Sequence, residues 1–216
     1  MAQLFNQKFG IKEVADVAFY NQGDVKYDAS TGKVVAAESG ATPTPVLKFT
    51  TLKTSGLEFT GETTEARGGK GNAVLMSWDH SREATLTLED ALLSADSLAT
   101  MLSNKPAALV GDNTVISIDA NGFPGTYTVI GKTYARGTDG QDHLLTFLIF
   151  KAKVSAEANF EMSADGDPST LNMTLKVLRC TTDDIDKKMG AEDGDMVKMI
   201  IDDTPKGAST PTITFP

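Results

Sequence analysis

Strict alternation of apolar and polar residues is the feature that most constrains how this chain can fold. The segment Leu171–Val177 alternates over its full length, with its four apolar residues on one side. The shorter segment Thr85–Leu88 alternates in the same way. Since side chains of a strand point alternately to opposite faces, both segments are predicted to be half-buried strands of an antiparallel sheet.

Several more segments have strand character and are separated by turn residues. We predict strands at 11–20, 46–55, 57–65, 78–89, 114–119, 126–134, 144–154 and 196–201. Two of them, 126–134 and 144–154, are expected to form a hairpin around the glycine-containing turn at 136–140. The pattern shows neither a βαβ rhythm nor an internal repeat, which favours antiparallel pairing throughout.

One short helix is predicted after the strand that ends near residue 89. Ser94 stands at the N-cap position, and Asp96 lies in the first turn, where a carboxylate complements the helix dipole. Leu98, Met101 and Leu102 follow at helical spacing. The expected fold is therefore mainly β, an antiparallel β-sandwich or barrel with one flanking short α-helix. Residues 1–216 are expected to form a single domain.

Two long segments do not fit the strand pattern. Residues 21–45 are rich in glycine and proline, and a small hairpin is predicted within them, from Val25–Tyr27 to Lys33–Val35. Residues 204–216 contain three prolines and are predicted to form an extended C-terminal arm, because proline cannot serve in a central strand. Long irregular segments in a compact domain are usually functional or disordered.

Charge and composition exclude several classes of protein. The formal net charge is −9, which disfavours tight nucleic-acid binding because such binding uses Lys and Arg against phosphate. No apolar run approaches the ~20 residues of a membrane helix, and the start of the chain lacks the features of a signal peptide. The one cysteine, Cys180, cannot form an internal disulfide, fits a reducing cytoplasm and is expected to pack as a small apolar group.

The segment Arg67–Asn72 combines three glycines with an arginine and a lysine, a composition that suits anion binding. It lacks the Walker spacing and is not followed directly by a helix, so a phosphate site is disfavoured. The alternative is a flexible loop that joins two strands and becomes ordered against a partner.

Other candidate chemistry also lacks the residues it needs. Asp79-His80-Ser81 contains the residue types of a hydrolase triad, but adjacent strand residues point to opposite faces. The acidic segment 183–195 lacks calcium-binding spacing, and two histidines are too few for a usual catalytic zinc site. We therefore expect no enzymatic activity, no cofactor and no metal. Trp78 is expected to anchor either the core or an interface.

Three segments carry a resemblance to a known family. They are Glu65–Asn72, Trp78-Asp79 and Thr85–Leu92, and the start Phe9–Val17 adds to them. Together they resemble the major tail tube proteins of long-tailed bacteriophages. The matching pieces cover roughly the first half of the chain, and the second half is similar in its β-rich character.

The resemblance implies a structural virion protein made in the host cytoplasm, whose β-domains assemble as hexameric rings stacked into a tube. DNA would pass through the lumen without specific binding, and an acidic wall would repel its phosphates. Implied partners are other copies of the chain, the tape measure protein, the tail terminator, baseplate or tip proteins, and a sheath if the tail is contractile. No membrane is implied.

The 21–45 loop and the C-terminal arm would bridge subunits. The candidate assembly interface consists of Glu65, Arg67, Gly68, Gly69, Lys70, Gly71, Asn72 and Trp78.

Two other functions remain open from the sequence. A β-sandwich module that binds carbohydrate would need a cluster of exposed aromatic residues, but there is one tryptophan and the four tyrosines are scattered. A hydrolase built on His80 is the third possibility.

Overall fold

The computed structural model describes residues 8–11, 13–39, 42–92, 94–103, 105–118, 120–155, 170–183, 188–202 and 215–216. In these residues the chain forms thirteen strands and one helix of eight residues. The strands in the first half are β1 (Phe9–Ile11), β2 (Asp16–Asn21), β3 (Val25–Asp28), β4 (Lys33–Ala36), β5 (Leu47–Phe49), β6 (Leu52–Gly68) and β7 (Ala73–Asp90). Then follow α1 (Ala95–Leu102), β8 (Ala108–Val110), β9 (Asn113–Val115), β10 (Thr126–Gly137), β11 (Asp142–Val154), β12 (Leu171–Leu178) and β13 (Val197–Ile201).

Nine of these strands form one antiparallel sheet. Its order is β5-β2-β10-β11-β12-β7-β6, with β1 added on β10 and β13 added on β11. The pairs β3–β4 and β8–β9 form two small separate sheets, and every pairing is antiparallel. The large sheet does not close into a barrel. The predicted mainly-β, antiparallel fold with one short helix is confirmed.

The main core lies on one face of the sheet, where alternate residues of the strands meet. All four apolar residues of Leu171–Val177 are buried there, as are Leu86 and Leu88 of β7, which confirms both alternating segments. Cross-strand pairing places Leu175 directly opposite Leu86. The opposite side chains of these strands are polar and face solvent, so this part of the sheet is covered on one face only.

The middle of the sheet is covered on both faces. In β2, Val17 and Phe19 belong to the main core, whereas Ala18 and Tyr20 belong to a second apolar cluster that contains Cys180. This double burial explains why β2 has a continuous apolar run instead of alternation. Cys180 is fully buried, as expected for a small apolar group.

The small hairpin predicted within residues 21–45 is confirmed as β3–β4 and packs on the same subunit. Val25 is fully buried in the second cluster, and the Tyr27 N–H donates to the Met189 carbonyl at 2.8 Å. Gly190 follows with φ +70° and lies so close to the Tyr27 backbone that a Cβ would overlap it. The hairpin is thus part of the subunit's own packing, and a role of residues 21–45 in contacts between subunits stays a prediction.

The predicted arm at 204–216 lies outside the described residues except for its last two. The Phe215 ring packs against the second cluster, and the ammonium groups of Lys48 and Lys132 each lie 5.2 Å from its centroid. The Tyr20 hydroxyl lies 3.5 Å from the Pro216 carbonyl oxygen, to which it donates. The end of the described chain therefore contacts β2, β5 and β10 of the same subunit.

Helix α1 begins where the sequence predicts. The Ser94 Oγ accepts from the Ser97 N–H at 3.0 Å, and the Ser97 Oγ accepts from the Ser94 N–H at 3.0 Å, so both backbone donors are satisfied. Met101 packs into the main core. Asp96 lies in the first turn, as predicted.

Three predicted strands are divided or clearly shortened in the structure. The segment 11–20 contains the end of β1 and most of β2, and 46–55 is divided between β5 and β6. The interruption lies at Thr51, whose carbonyl accepts from the Ala91 N–H and whose hydroxyl donates to Asp90 at 2.6 Å. The predicted strand 114–119 was wrong in extent, since β9 ends at Val115 and pairs with β8 around Gly111 at φ +61°.

Candidate assembly interface

The longest element of the fold is the hairpin β6–β7, with strands of 17 and 18 residues. At its base the hairpin belongs to the sheet, and Ala84, Leu86 and Leu88 are buried. Beyond the pair Thr60–Glu83 nearly every residue of both strands is exposed, up to the last pair Gly68–Ala73. At about 3.4 Å per residue this outer part is roughly 30 Å long. The hairpin therefore extends well beyond the body of the subunit.

The glycine-rich segment forms the tip of this hairpin. Gly69 and Gly71 have φ of +77° and +86°, and Asn72 has φ of 52°. Residues with a Cβ rarely adopt this backbone conformation, and Asn tolerates it better than most. The turn is closed by the Asn72 N–H, which donates to the Gly69 carbonyl at 3.2 Å. The prediction of a loop joining two strands is confirmed, and the glycines are explained by the turn itself.

Apolar side chains are concentrated near the tip. The strand register pairs Trp78 with Thr64 and Met76 with Ala66, so Trp78 and Met76 share one face of the hairpin. Leu75 is the extra residue of a bulge, and its Cδ1 would lie 3.1 Å from a Cβ placed on Gly68. The exposed fractions are 69% for Leu75, 64% for Met76 and 47% for Trp78. Trp78 is thus not a core residue, and the alternative that it anchors the core was wrong.

The opposite face of the outer hairpin is polar. The Arg67 guanidinium donates to Glu65 Oε2 through Nε at 2.9 Å and Nη2 at 2.5 Å, and Thr63 Oγ1 donates to Asp79 Oδ1 at 2.6 Å. Such exposed pairs contribute only about 0–1 kcal/mol each, so they orient the side chains more than they stabilise the hairpin. Glu65, Arg67 and Lys70 are the charged residues of the segment 65–77, which gives the tip a net charge of +1 on a chain of net charge −9.

The residues that suggested a hydrolase triad are not arranged as one. His80 Nε2 lies 2.7 Å from Thr64 Oγ1 on one face of the hairpin. Asp79 accepts a hydrogen bond from Thr63 on the opposite face, as alternation predicts. Ser81 departs from alternation, because its φ of 54° at a bulge brings its Oγ to 2.8 Å from His80 Nδ1. The nearest carboxylate, Glu62, lies 3.6 Å from that same nitrogen. A relay needs the carboxylate and the nucleophile on opposite ring nitrogens.

The other histidine, and Asp195 of the acidic segment, make contacts within the chain. His143 is buried, donates from Nδ1 to the Asp202 carbonyl at 3.0 Å, and has Nε2 3.3 Å from Asp139 Oδ2. Burial raises the pKa of the Asp195 carboxyl, but the Glu192 N–H and the Lys198 ammonium bring that pKa below its ordinary value. Within the part of the chain that is described, no group of three or more His, Cys, Asp and Glu residues could hold a metal ion.

Two of the four tyrosines are unavailable for stacking on a sugar. Tyr20 and Tyr134 are buried, which leaves Tyr27 and Tyr127 only partly accessible. No observation in the described residues therefore favours the carbohydrate-binding alternative. No helix among them is long and apolar enough to cross a membrane.

A second apolar surface lies away from the hairpin tip, and the sequence did not indicate it. It is a groove of about 490 Å³ between β1, the base of β6 and β13, and Phe9, Ile11, Val14, Leu57, Phe147 and Met199 are among its lining residues. We call it the apolar groove. Ile11 is 65% exposed and Met199 is 60% exposed. These residues lie on two short strands, each too short for its pattern to show which side chains remain uncovered.

The comparisons with known proteins agree with this architecture. No curated protein matches the chain. A sequence model of the YomU/Tube protein family matches residues 9–105 and 111–192, well over half of the chain. The matched ranges include β1 to β7, helix α1 and β9 to β12, whereas β8 lies in the gap between the two ranges and β13 lies beyond the second. The resemblance to tail tube proteins is thereby confirmed, and the chain belongs to the YomU/Tube protein family, a family of phage tail tube proteins.

Proposed function

We propose that this protein is the repeating subunit of a phage tail tube, which assembles as hexameric rings stacked into a conduit for DNA ejection into the host. The β6–β7 hairpin is the observation that carries the proposal beyond family membership. An isolated two-stranded hairpin is at best marginally stable in water, yet its outer part here has no covering element among the described residues. A hairpin of this length that bears apolar side chains at its end fits an element that becomes covered on assembly.

In this proposal the candidate interface residues divide into four roles. Trp78 provides a large apolar contact on one face of the hairpin, and the Glu65–Arg67 pair provides a polar contact on the other. The turn residues Gly69, Gly71 and Asn72 allow the tight reversal that gives the hairpin a narrow end, and Gly68 ends β6, where a Cβ would lie 3.1 Å from Leu75 Cδ1. Lys70 adds a positive charge at that end. Aromatic and Arg residues are the commonest anchors of protein interfaces.

The edge of the sheet supports assembly as well. Strand β6 lies at one end of the sheet order, so within the described residues its outer edge has no neighbouring strand. Open edges with unpaired N–H and C=O groups readily accept a strand from another chain. Pairing along β6 would continue the sheet from one subunit into the next.

The charge of the chain fits a passage for DNA. A tube built from subunits of net charge −9 has a strongly negative surface, which repels phosphate and limits adhesion of DNA to the wall. The tape measure protein, the tail terminator and baseplate or tip proteins are the partners expected in the virion tail, with a sheath in a contractile tail. Synthesis in the host cytoplasm precedes assembly.

Electron microscopy of the purified protein, alone and with its tail-assembly partners, tests the proposal directly. We expect rings or tubes of uniform bore, with six subunits in each ring in averaged end views. A protein that stays strictly monomeric under all these conditions and is absent from virions would overturn the proposal.

The variant Arg67→Glu tests the interface role of the hairpin tip. It replaces the cation that pairs with Glu65 by a second carboxylate, at an exposed position where the cost to folding is small. We expect a severalfold lower tube yield and an unchanged thermal midpoint of the monomer. Lys153→Glu is the matched control, since it makes the same charge change at an exposed position of β11, outside the hairpin and the edge strand β6. Equal tube yields for both variants would contradict the role of Arg67.

A further inference from the structure

We propose that the hairpin tip of one subunit docks into the apolar groove of a second copy of the same chain. This inference rests on the proposed function and names the surface that receives the hairpin. The contact joins two different apolar surfaces of one molecule, which no other described residues cover: the tip with Leu75, Met76 and Trp78, and the groove with Ile11 and Met199.

The apolar surfaces correspond in size and character. The groove, at about 490 Å³, falls within the range of cavities that enclose a small ligand, and it accommodates a few side chains. The apolar side chains of the tip are consecutive or nearly so along β7, from Val74 to Trp78, and they end a narrow two-stranded projection. Exposed apolar patches of this kind mark interaction sites in soluble proteins.

The walls of the groove also offer backbone groups for pairing. Strand β1 pairs only with β10, and β13 pairs only with β11, so among the described residues each has one edge without a neighbouring strand. The outer hairpin has such an edge along β6. A hairpin laid along β1 or β13 would bury apolar side chains and add backbone hydrogen bonds in the same contact.

Charge also favours contact between the tip of one copy and the groove of another. The tip has a net charge of +1, from Arg67 and Lys70 against Glu65, whereas Glu13 contributes a carboxylate to the lining of the groove. The body of the chain is acidic overall. A positive tip on an acidic body is attracted to the body of another copy and repelled by its tip, which favours head-to-tail contact.

The symmetry of such a contact suits a tube. An interface between two different patches of the same chain is heterologous, and it generates rings when the rotation closes or open stacks when it does not. A two-fold dimer would instead bring the same patch of both copies together. When each subunit docks its tip into the groove of the next, every subunit has both surfaces occupied. The same contact then repeats from subunit to subunit, and assembly does not stop at a dimer.

Mixing of two variants, each with one added cysteine, tests this geometry. Met76→Cys places a thiol on the tip, and Met199→Cys places one in the groove, while the only natural cysteine, Cys180, is buried. Under mild oxidation during assembly we expect a disulfide-linked dimer in the mixture of the two variants. We expect at least tenfold less disulfide-linked dimer when either variant is oxidised alone.

The matched control is Thr174→Cys mixed with Met76→Cys, because Thr174 is exposed on the outer face of β12 and does not line the groove. Equal cross-linking of the control mixture, or dimers of Met76→Cys with itself, would overturn the docking. Micrographs of the same mixtures separate the two proposals. Tubes that form without a disulfide between the tip thiol and the groove thiol would refute the docking alone, whereas absence of tubes from the parent protein and its partners would refute the proposed function.

A second pair of variants does not depend on thiol geometry. Leu75→Asp and Met199→Asp each place a carboxylate in the proposed contact, at positions where the single subunit leaves the side chain mostly exposed. We expect each variant to keep a thermal midpoint within about 2 °C of the parent and to reduce tube yield at least tenfold. Normal tube yield from either folded variant would contradict the inference.

Discussion

The close approach of Gly131 and Phe147 provides a direct test of the sheet at the wall of the groove. Gly131 in β10 is paired with Phe147 in β11, and the ring of Phe147 lies over the glycine. A Cβ at Gly131 would overlap three atoms of that ring, Cζ, Cε2 and Cε1. The variant Gly131→Ala therefore cannot be accommodated unless the Phe147 ring moves.

The size of the effect follows from the geometry. To restore an ordinary carbon–carbon separation of about 3.5–4.0 Å, the ring must move by roughly 1.5–2 Å. Overpacking of this kind typically costs about 1–3 kcal/mol of the free energy of unfolding. Replacing glycine by alanine also removes freedom from the unfolded chain, which stabilises by about 0.4–1 kcal/mol where the backbone permits it. We expect a net destabilisation of about 1–2 kcal/mol.

A matched control removes the contribution of the unfolded chain. Gly56 lies in β6, and no atom lies within 4 Å of the place that an alanine methyl group would take, so Gly56→Ala changes the same residue type without an overlap. The two variants should differ by about 1–3 kcal/mol in urea denaturation of the monomer, with Gly131→Ala the less stable. For a chain of this size that difference corresponds to roughly 2–12 °C in thermal midpoint.

A double-mutant cycle with Phe147→Ala identifies the cause. If the overlap with the ring is responsible, Gly131→Ala should cost little or nothing once the ring is absent, and the coupling energy should approach about 1–3 kcal/mol. Equal stability of Gly131→Ala and Gly56→Ala, or a coupling energy near zero, would refute the reasoning. Because Phe147 also lines the groove, we further expect Gly131→Ala to lower tube yield at temperatures where the monomer remains folded.

Three further predictions concern the core, the helix and alkaline pH. Leu86→Ala should cost about 2–5 kcal/mol in urea denaturation because Leu86 is fully buried, whereas Leu75→Ala should change monomer stability by less than about 0.5 kcal/mol. Ser94→Ala removes the N-cap acceptor and should cost about 0.5–2 kcal/mol, with Ser94→Asp restoring most of it. Burial raises the pKa of Tyr20 from 10.0 to about 12, so the folded state retains its proton longer than the unfolded state. Stability from this group is present below pH 10 and is lost as pH rises towards about 12, and pH-dependent denaturation of Tyr20→Phe should show a shallower alkaline decline than the parent. An equally steep decline would contradict the role of Tyr20.

Local sequence signals determined much of the fold. Alternation at Leu171–Val177 predicted a half-buried strand because a strand exposes every second side chain, and the structure buries the predicted face. Ser94 predicted the start of α1 because its hydroxyl can satisfy a backbone donor that the helix leaves unpaired. The glycines between Arg67 and Asn72 marked a turn because only such residues readily adopt positive φ.

Other features depended on contacts between residues distant in the sequence. The break between β5 and β6 is set by hydrogen bonds that join Thr51 to Ala91 and Asp90, which no local pattern around Thr51 reveals. The shortening of the predicted strand at 114–119 follows from its pairing with β8, a strand of only three residues.

The sequence by itself thus determined the strand pattern, the helix start and the hairpin turn, because each depends on the conformations open to a few adjacent residues. Only the tertiary structure decided which apolar residues remain uncovered. Trp78 and Met199 are large apolar residues of the kind that usually form a core, but the course of β7 and β13 leaves them at the surface. Burial of a side chain depends on which distant parts of the chain pack against it, and the sequence of one strand does not contain that information.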